Sequence, residues 1–294
     1  MNDRFTHRFK VQDYDLAATL SCGQAFRWQP NAEGWQGVVA NTWVHLEHKP
    51  DGIVARTCEP QPDWQWLADY LQAHIDIENI LAAFPADPNL QAAVRRHRGL
   101  RLLRQPAWEC LASFILSSTK QIVQIRQIIE ALCEQFGEPV ATPGPTKFRA
   151  FPSARLLAAA TDTELRACKM GFRAPYLREA ARAVARGQLD LDHLGRLPYA
   201  AARTRLTQLS GVGEKIADCV LLFAYGHADA FPIDVWVARA LRQFYFRGRH
   251  VPLPRLRTFA SERWRGCGGY AQQYLFQYIR HQHGKTARTI RPSL

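Results

Sequence analysis

Lys215 and Asp234 are the two residues of this chain whose placement points most directly to chemistry. Lys215 stands just after Leu209-Ser210-Gly211-Val212-Gly213, and Asp234 follows nineteen residues later in Pro232-Ile233-Asp234-Val235. A lysine in the first turn of a helix opposes the macrodipole, where acidic side chains are the rule. Partial burial and that dipole both disfavour the ammonium and free the amine as a nucleophile. An amine beside a deoxyribose C1′ can displace a base, hold the sugar as a Schiff base and so permit β-elimination of the 3′ phosphate. Asp234 reads first as an ordinary N-cap, since Pro-x-Asp precedes a helical run. A capping carboxylate held rigid and ionised also suits the stabilisation of positive charge on a sugar as its glycosidic bond breaks.

The segment that positions Lys215 is a turn between two helices. Tyr199 to Leu209 reads as one helix. Glu214 to Tyr225, apolar at Ile216, Val220, Leu221, Phe223 and Ala224, reads as the next. Between them Gly211-Val212-Gly213 makes a turn that glycine, free to take positive φ, permits easily. Helix, tight hairpin and helix together present backbone N–H groups and a positive dipole end to an anion, of which a DNA phosphate is the usual case. A net charge of +12 over 294 residues agrees with a polyanionic partner.

Other function classes are disfavoured. Seven cysteines, at 22, 58, 110, 133, 168, 219 and 267, form no C-x-x-C pair, which argues against zinc and iron–sulfur chemistry and against a disulfide framework. Met1 to Lys10 is polar and basic, and no stretch approaches transmembrane length. The expectation is a protein of the cytoplasm, associated with the nucleoid, or of a nucleus, and not a secreted or membrane protein.

The texture of the chain changes near residue 104. Before it, Ala25 to Trp28, Trp35 to Ala40, Thr42 to Glu47 and Ile53 to Thr57 read as strands of an antiparallel meander, followed by helices at Trp64–Ala73, Ile77–Ala83 and Asn89–His97. From Pro106 onward only helices are expected. Ser117-Ser118-Thr119 lies between two of them and is expected to cap the second. The division is thus an N-terminal sheet with helices over 1–104, a helical region over 105–284 and a basic tail over 285–294, an α+β architecture.

Two further clusters carry signal. Ser21-Cys22-Gly23-Gln24-Ala25-Phe26-Arg27-Trp28 puts a glycine before a strand. In Gly268-Gly269-Tyr270-Ala271-Gln272-Gln273-Tyr274-Leu275-Phe276, Gln272 and Phe276 lie four apart on one helical face, an amide for a base edge and a ring for stacking. Alone, each also reads as plain structure: a turn at a sheet edge, and a core helix with a polar border.

Taken together, these segments resemble the 8-oxoguanine DNA glycosylase/AP lyases of the helix-hairpin-helix superfamily. Leu100 to Pro106, Phe114 to Ser118 and Gly171-Phe172-Arg173-Ala174 extend the likeness over nearly the whole chain. The resemblance implies a TBP-like antiparallel N-terminal region joined to two mostly helical lobes, with the active site in the cleft between them and the damaged base flipped out of the duplex. By position it implies Lys215 as Schiff-base nucleophile and Asp234 as catalytic carboxylate. The Gly23 carbonyl would accept the N7–H of 8-oxoguanine, Cys219 and Phe276 would sandwich the purine, and Gln272 would bind its Watson–Crick edge. Gly211, Val212 and Gly213 would grip the backbone, Phe172 would fill the gap in the stack with the DNA-binding Arg173 beside it, and Thr119, Lys120 and Gln121 would face the partner base. The partner implied is double-stranded DNA carrying an oxidised purine, bound by a monomer. No cofactor is required, beyond a structural potassium or sodium ion that the hairpin carbonyls could hold.

The chain also departs from the family. An asparagine-rich run followed by arginine is replaced by Thr119-Lys120-Gln121 and Gln124, the wedge tyrosine by Phe172, and the histidine two places after the aspartate by Trp236. An altered opposite-base preference is expected. The alternatives are an alkylated-base glycosylase, which generally works without a Schiff-base lysine, and a non-catalytic lesion-binding protein, which would not need both Lys215 and Asp234.

Overall fold

The computed structural model describes residues 4–118, 120–145 and 147–283. Thr119 and the basic tail therefore lie outside the described residues. The N-terminal region is a five-stranded antiparallel sheet in the order β1-β5-β4-β3-β2, from β1 (Thr6–Phe9), β2 (Gln29–Pro30), β3 (Trp35–Val39), β4 (Thr42–Lys49) and β5 (Gly52–Thr57). Helix α1 (Leu16–Ser21) interrupts it, and α2 (Gln65–Leu71), α3 (Ile77–Ala82) and α4 (Pro88–Arg96) follow. The remainder is α5 (Ala107–Leu116), α6 (Ile122–Phe136), α7 (Ala154–Ala159), α8 (Asp162–Ala167), a 3-10 turn at Gly171–Arg173, α9 (Ala174–Ala185), α10 (Leu191–Leu194), α11 (Tyr199–Thr207), α12 (Glu214–Phe223), α13 (Val235–Tyr245), α14 (Leu253–Arg263) and α15 (Gly268–Gln282). No helix among the described residues is long and apolar enough to cross a membrane.

Several expectations need correction. Ala25–Trp28 is not a strand. Its side chains divide between two cores, Phe26 joining the α5/α12 core while Ala25 and Trp28 join the sheet's, and the Trp28 indole donates to the Tyr70 hydroxyl at 2.8 Å. An apolar run that serves two cores looks like a strand in sequence but has no ladder to join. Conversely Thr6–Phe9, within a stretch that reads as a polar terminus, pairs with Ile53–Arg56. Helix α1, capped by Asp15 accepting from Ala18 N–H at 2.8 Å, was not foreseen. The region after Pro106 is not purely helical, since Pro139 and Arg149 form an antiparallel bridge. Nor do the serines cap α6. Gln121 is its N-cap, its N–H bonded to Gln124 Oε1 at 3.0 Å, while the Ser117 hydroxyl donates back to the Phe114 carbonyl at 2.8 Å and closes α5.

Three cores result. One lies under the sheet with α1 and α2, one is built around α12 by α5 to α11, and one joins α13, α14 and α15 to α4. In helix α12 all residues from Ile216 to Phe223 are buried, Asp218 included, as expected of a central helix. The buried Gln24 amide fastens the sheet region to the lobes. It donates to the Thr19 and Arg101 carbonyls, both at 2.8 Å, and accepts from Leu103 N–H at 2.9 Å. The turn beside it, at Gly23, is thereby fixed.

Candidate active site

The candidate residues sit at the start of α12 (Lys215), at the N-cap of α13 (Asp234) and on α15 (Gln272 and Phe276), the last beside the Gly23 turn. Only one hairpin glycine needs its conformational freedom. Gly211 sits at φ +79°, and a β-carbon there would stand 2.5 Å from Tyr176 Cγ. Gly213 has φ −86° and is extended, which any residue can adopt. A β-carbon at Gly213 would meet nothing, so the lack of a side chain leaves the N-terminus of α12 open. Val212 between them is buried as the hairpin's anchor.

Lys215 lies in the first turn of α12 and is half-buried. Its Nζ donates to Ser117 Oγ at 3.1 Å and lies 5.3 Å from the centroid of the Phe114 ring. Phe114 is itself stacked on Phe223, centroids 5.5 Å apart, and meets the edge of Phe26. Cys219, one turn further along α12, is buried, and burial pushes its thiol up to about 12 although the neighbouring lysine pulls it down. The thiol is therefore a neutral, polarisable wall at neutral pH.

Asp234 caps α13, its Oδ1 accepting from the N–H groups of Trp236 at 2.9 Å and Val237 at 2.8 Å. Burial raises its carboxyl above the ordinary aspartate value. The Val237 N–H, Lys215, the Trp236 N–H and Arg280 each act against that rise. The cap is thus real, and the carboxylate also lies in the field of Lys215. The simple expectation of a carboxylate held ionised by its cap omitted the cost of burial, which the two cations offset in part.

On α15, Gln272 is 4 % exposed, and its Oε1 is buried with no hydrogen-bond partner among the described residues. An unpaired buried acceptor costs about 1–3 kcal/mol. It is a group waiting for a donor, as the Watson–Crick edge of a purine would supply. Phe276, one turn on, faces Gly23. A β-carbon at Gly23, where φ is +85°, would stand 3.9 Å from Phe276 Cε1 and 2.7 Å from Ile122 Cδ1. Gly23 thus brings its backbone against the ring with no side chain between.

The structure therefore brings Lys215, Cys219 and Asp234 within electrostatic range of one another and sets Phe276 beside Gly23, with Gln272 one turn before Phe276 on α15. Of the remaining candidates, Thr119 lies outside the described residues. Phe172 is 60 % exposed, its ring lying over the Arg173 guanidinium at 4.3 Å and meeting Tyr176 edge-on at 6.4 Å. Arg173 points inward. It is buried and donates to the Ser118 carbonyl. Lys120 and Gln121 are at least partly exposed, and Gln121 serves as the α6 cap.

Three residues here escaped the sequence reading. Ser117 holds Lys215. Arg280 lies over the Phe276 ring at 5.1 Å and shares its electrostatic surroundings with Asp234, Cys22 and Arg126. Its spacing, four after Phe276 and eight after Gln272, was the available signal. Asp218 is buried within the apolar α12, accepting from Tyr199 Oη at 2.8 Å and Arg203 Nε at 2.9 Å, with burial lifting it to about 6. Arg203 also pairs with Glu214, and Glu214 with Arg257, so the hairpin is cross-braced to α14.

Residues 7–111 match the N-terminal domain of 8-oxoguanine DNA glycosylases, and residues 112–265 match the HhH-GPD superfamily of base excision DNA repair proteins. A probable N-glycosylase/DNA lyase of Methanothermobacter thermautotrophicus is 30% identical over 93% of this chain and 96% of its own. The N-glycosylase/DNA lyase of Saccharomyces cerevisiae is 30% identical over 89% of this chain and 82% of its own. The crystal structure of the Clostridium acetobutylicum 8-oxoguanine glycosylase/lyase with double-stranded DNA containing cytosine opposite 8-oxoguanine superposes with a TM-score of 0.88, at 29% identity over 95% of this chain and 99% of that one. With both halves matched in order, the chain belongs to the HhH-GPD superfamily of base excision DNA repair proteins, in its 8-oxoguanine DNA glycosylase branch.

Proposed function

We propose that this protein excises 8-oxoguanine from duplex DNA with Lys215 as nucleophile and Asp234 as the carboxylate that answers the charge on the sugar, and then cleaves the abasic strand. What supports this reading is that Asp234 lies in the field of Lys215, with Cys219 one turn along the same helix and Arg280 tying Asp234 to the Phe276 ring beside Gly23.

Duplex backbone rests on the open N-terminus of α12, and the oxidised base leaves the stack, with Phe172 taking its place. The purine enters between the Cys219 thiol and the Phe276 ring. Gln272 Oε1 accepts from its Watson–Crick edge, and the Gly23 carbonyl accepts N7–H. Guanine offers a lone pair at N7, and acceptor against acceptor costs roughly 1–3 kcal/mol, about tenfold to hundredfold in discrimination. The lone pair of the Lys215 nitrogen forms a bond to C1′ while the C1′–N9 pair leaves with the base, which takes up a proton. Asp234 stabilises the cationic sugar. Ring opening gives the Schiff base. Loss of a C2′ proton then expels the 3′ phosphate, and hydrolysis regenerates the amine. A chromosomal substrate assigns the protein to the cytoplasm or a nucleus.

Borohydride trapping on an 8-oxoguanine duplex tests the nucleophile. The expected result is a covalent protein–DNA adduct that is lost in Lys215→Gln. Base release by the wild type without any trapped adduct would remove Lys215 from the role.

A further inference from the structure

Ser117 is a buried residue for which the expected capping role has been withdrawn, and it touches the proposed nucleophile. Its hydroxyl proton is committed to the Phe114 carbonyl at 2.8 Å. A hydroxyl has one proton and two lone pairs. Toward Lys215 Nζ, at 3.1 Å, Ser117 Oγ therefore acts only as an acceptor. The ring of Phe114, 5.3 Å from the same nitrogen, offers a second surface that favours N–H over a lone pair. A neutral amine carries two N–H bonds and one lone pair. With the N–H bonds drawn to Ser117 and Phe114, the lone pair is left facing away from both.

The turn that presents Ser117 is itself fastened from the rim. The carbonyl of the next residue, Ser118, accepts from the buried Arg173 guanidinium, which lies against the ring of the exposed Phe172. Consecutive residues of one short turn thus hold the lysine on one side and the wedge on the other.

We propose that Ser117 is a positioning residue for the Lys215 amine, and that Arg173, by holding Ser118, keeps that turn in register with the wedge. The proposal rests on Lys215 being the nucleophile. Ser117 takes no proton and forms no bond to DNA. It sets the direction of attack, where a misplacement of 1 Å can cost on the order of a hundredfold in rate.

The test uses the full-length protein as Ser117→Ala and Ser117→Thr. Two quantities are measured: the single-turnover rate of 8-oxoguanine release at saturating enzyme, and the Kd for a duplex carrying a tetrahydrofuran abasic analogue. Ser117→Ala should lose roughly tenfold to hundredfold in rate with Kd unchanged, and Ser117→Thr, which restores the acceptor, should recover most of the rate. A wild-type rate in Ser117→Ala overturns the proposal, as does a parallel loss of rate and affinity that Ser117→Thr does not repair. Should Ser117→Ala fail to fold, Ser117→Cys, a weak acceptor of similar shape, replaces it, and an undiminished rate there is equally fatal. Trapping with Lys215→Gln in parallel separates the two readings. An adduct that survives in Lys215→Gln sinks the nucleophile assignment, whereas a lost adduct beside a fully active Ser117→Ala sinks only the role of Ser117.

Discussion

The side chain of Tyr176 occupies the space where a β-carbon of Gly211 would stand, its Cγ, Cδ2 and Cβ lying 2.5–2.8 Å from that position. Tyr176 in turn meets the edge of the exposed Phe172. The backbone grip and the wedge therefore share one aromatic, and the spacing between them is set by packing that a side chain at Gly211 would break.

The two hairpin glycines should accordingly fail in different ways. Gly211→Ala forces a β-carbon into the left-handed region, at about 1–2 kcal/mol, and displaces Tyr176 as well. Its melting temperature should fall by several degrees. Gly213→Ala is extended and unobstructed, so it should melt like the wild type. Its new methyl group stands in the mouth of α12, and its Kd for undamaged duplex should rise about tenfold, equivalent to 1.4 kcal/mol. Calorimetry and fluorescence anisotropy on the two variants distinguish these outcomes; equal effects on both observables would contradict the assignment.

The pH dependence should report the surroundings of Asp234. Its folded-state carboxyl is raised by burial, while Lys215 on α12 and Arg280 on α15 hold it down and the Cys219 thiol stays neutral. For a raised carboxyl the sign is clear: ionisation destabilises the fold, the penalty being absent below the unfolded value and complete above the folded one. Asp234→Asn keeps a capping side chain without the charge. At neutral pH it should be at least as stable as the wild type, with the advantage vanishing in acid, while excision falls by orders of magnitude. Arg280→Met removes a cation and should move the acid limb of the excision profile to higher pH, with Arg280→Lys restoring it. A profile unchanged in Arg280→Met would show that the guanidinium does not act on Asp234.

Gly23 permits a test of base reading. Its φ of +85° and the proximity of Ile122 and Phe276 leave an alanine strained and crowded. Since the obstructing atom is the end of a flexible isoleucine, Gly23→Ala should fold, yet its carbonyl should be displaced from the purine edge. The ratio of binding to 8-oxoguanine over guanine duplexes should fall by roughly tenfold, in line with the loss of one buried hydrogen bond. Preservation of that ratio would move N7–H recognition elsewhere.

How much of this was legible in the sequence depends on how local the signal is. Lys215 and Asp234 stand beside a turn and a cap that short-range rules recognise, and Gln272 and Phe276 share a helical face. Ser117 and Arg173 carry no such mark, because their partners lie 98 and 55 residues away. Ser117 was misassigned to α6 since a serine before a helical run fits an N-cap, whereas its hydroxyl turned back to α5. Thr6–Phe9 was missed because its pairing partner is β5 rather than its neighbour in sequence, and no nearby turn announced it. Asp218 was passed over because an acid within an apolar helix conveys burial only once Tyr199 and Arg203 are seen to satisfy it.

The final prediction concerns the partner base. Gln124 stands where the family resemblance implies an arginine, and its Oε1 is engaged by the Gln121 N–H at 3.0 Å. An amide used as a capping group presents no guanidinium fork to the acceptor-rich edge of a cytosine. Lys120 supplies a charge without the paired donor and acceptor of an asparagine. Excision of 8-oxoguanine should therefore favour cytosine only modestly over adenine, guanine and thymine, by less than tenfold in single-turnover rate. Gln124→Arg should sharpen that preference at a cost of about 1 kcal/mol in stability as the α6 cap is lost. Rates measured opposite all four bases decide the matter, and a strong preference for cytosine in the wild type, left unchanged by Gln124→Arg, would mean that the partner base is read by other residues, with the exposed Phe172 and the Arg173 beneath it the first to examine.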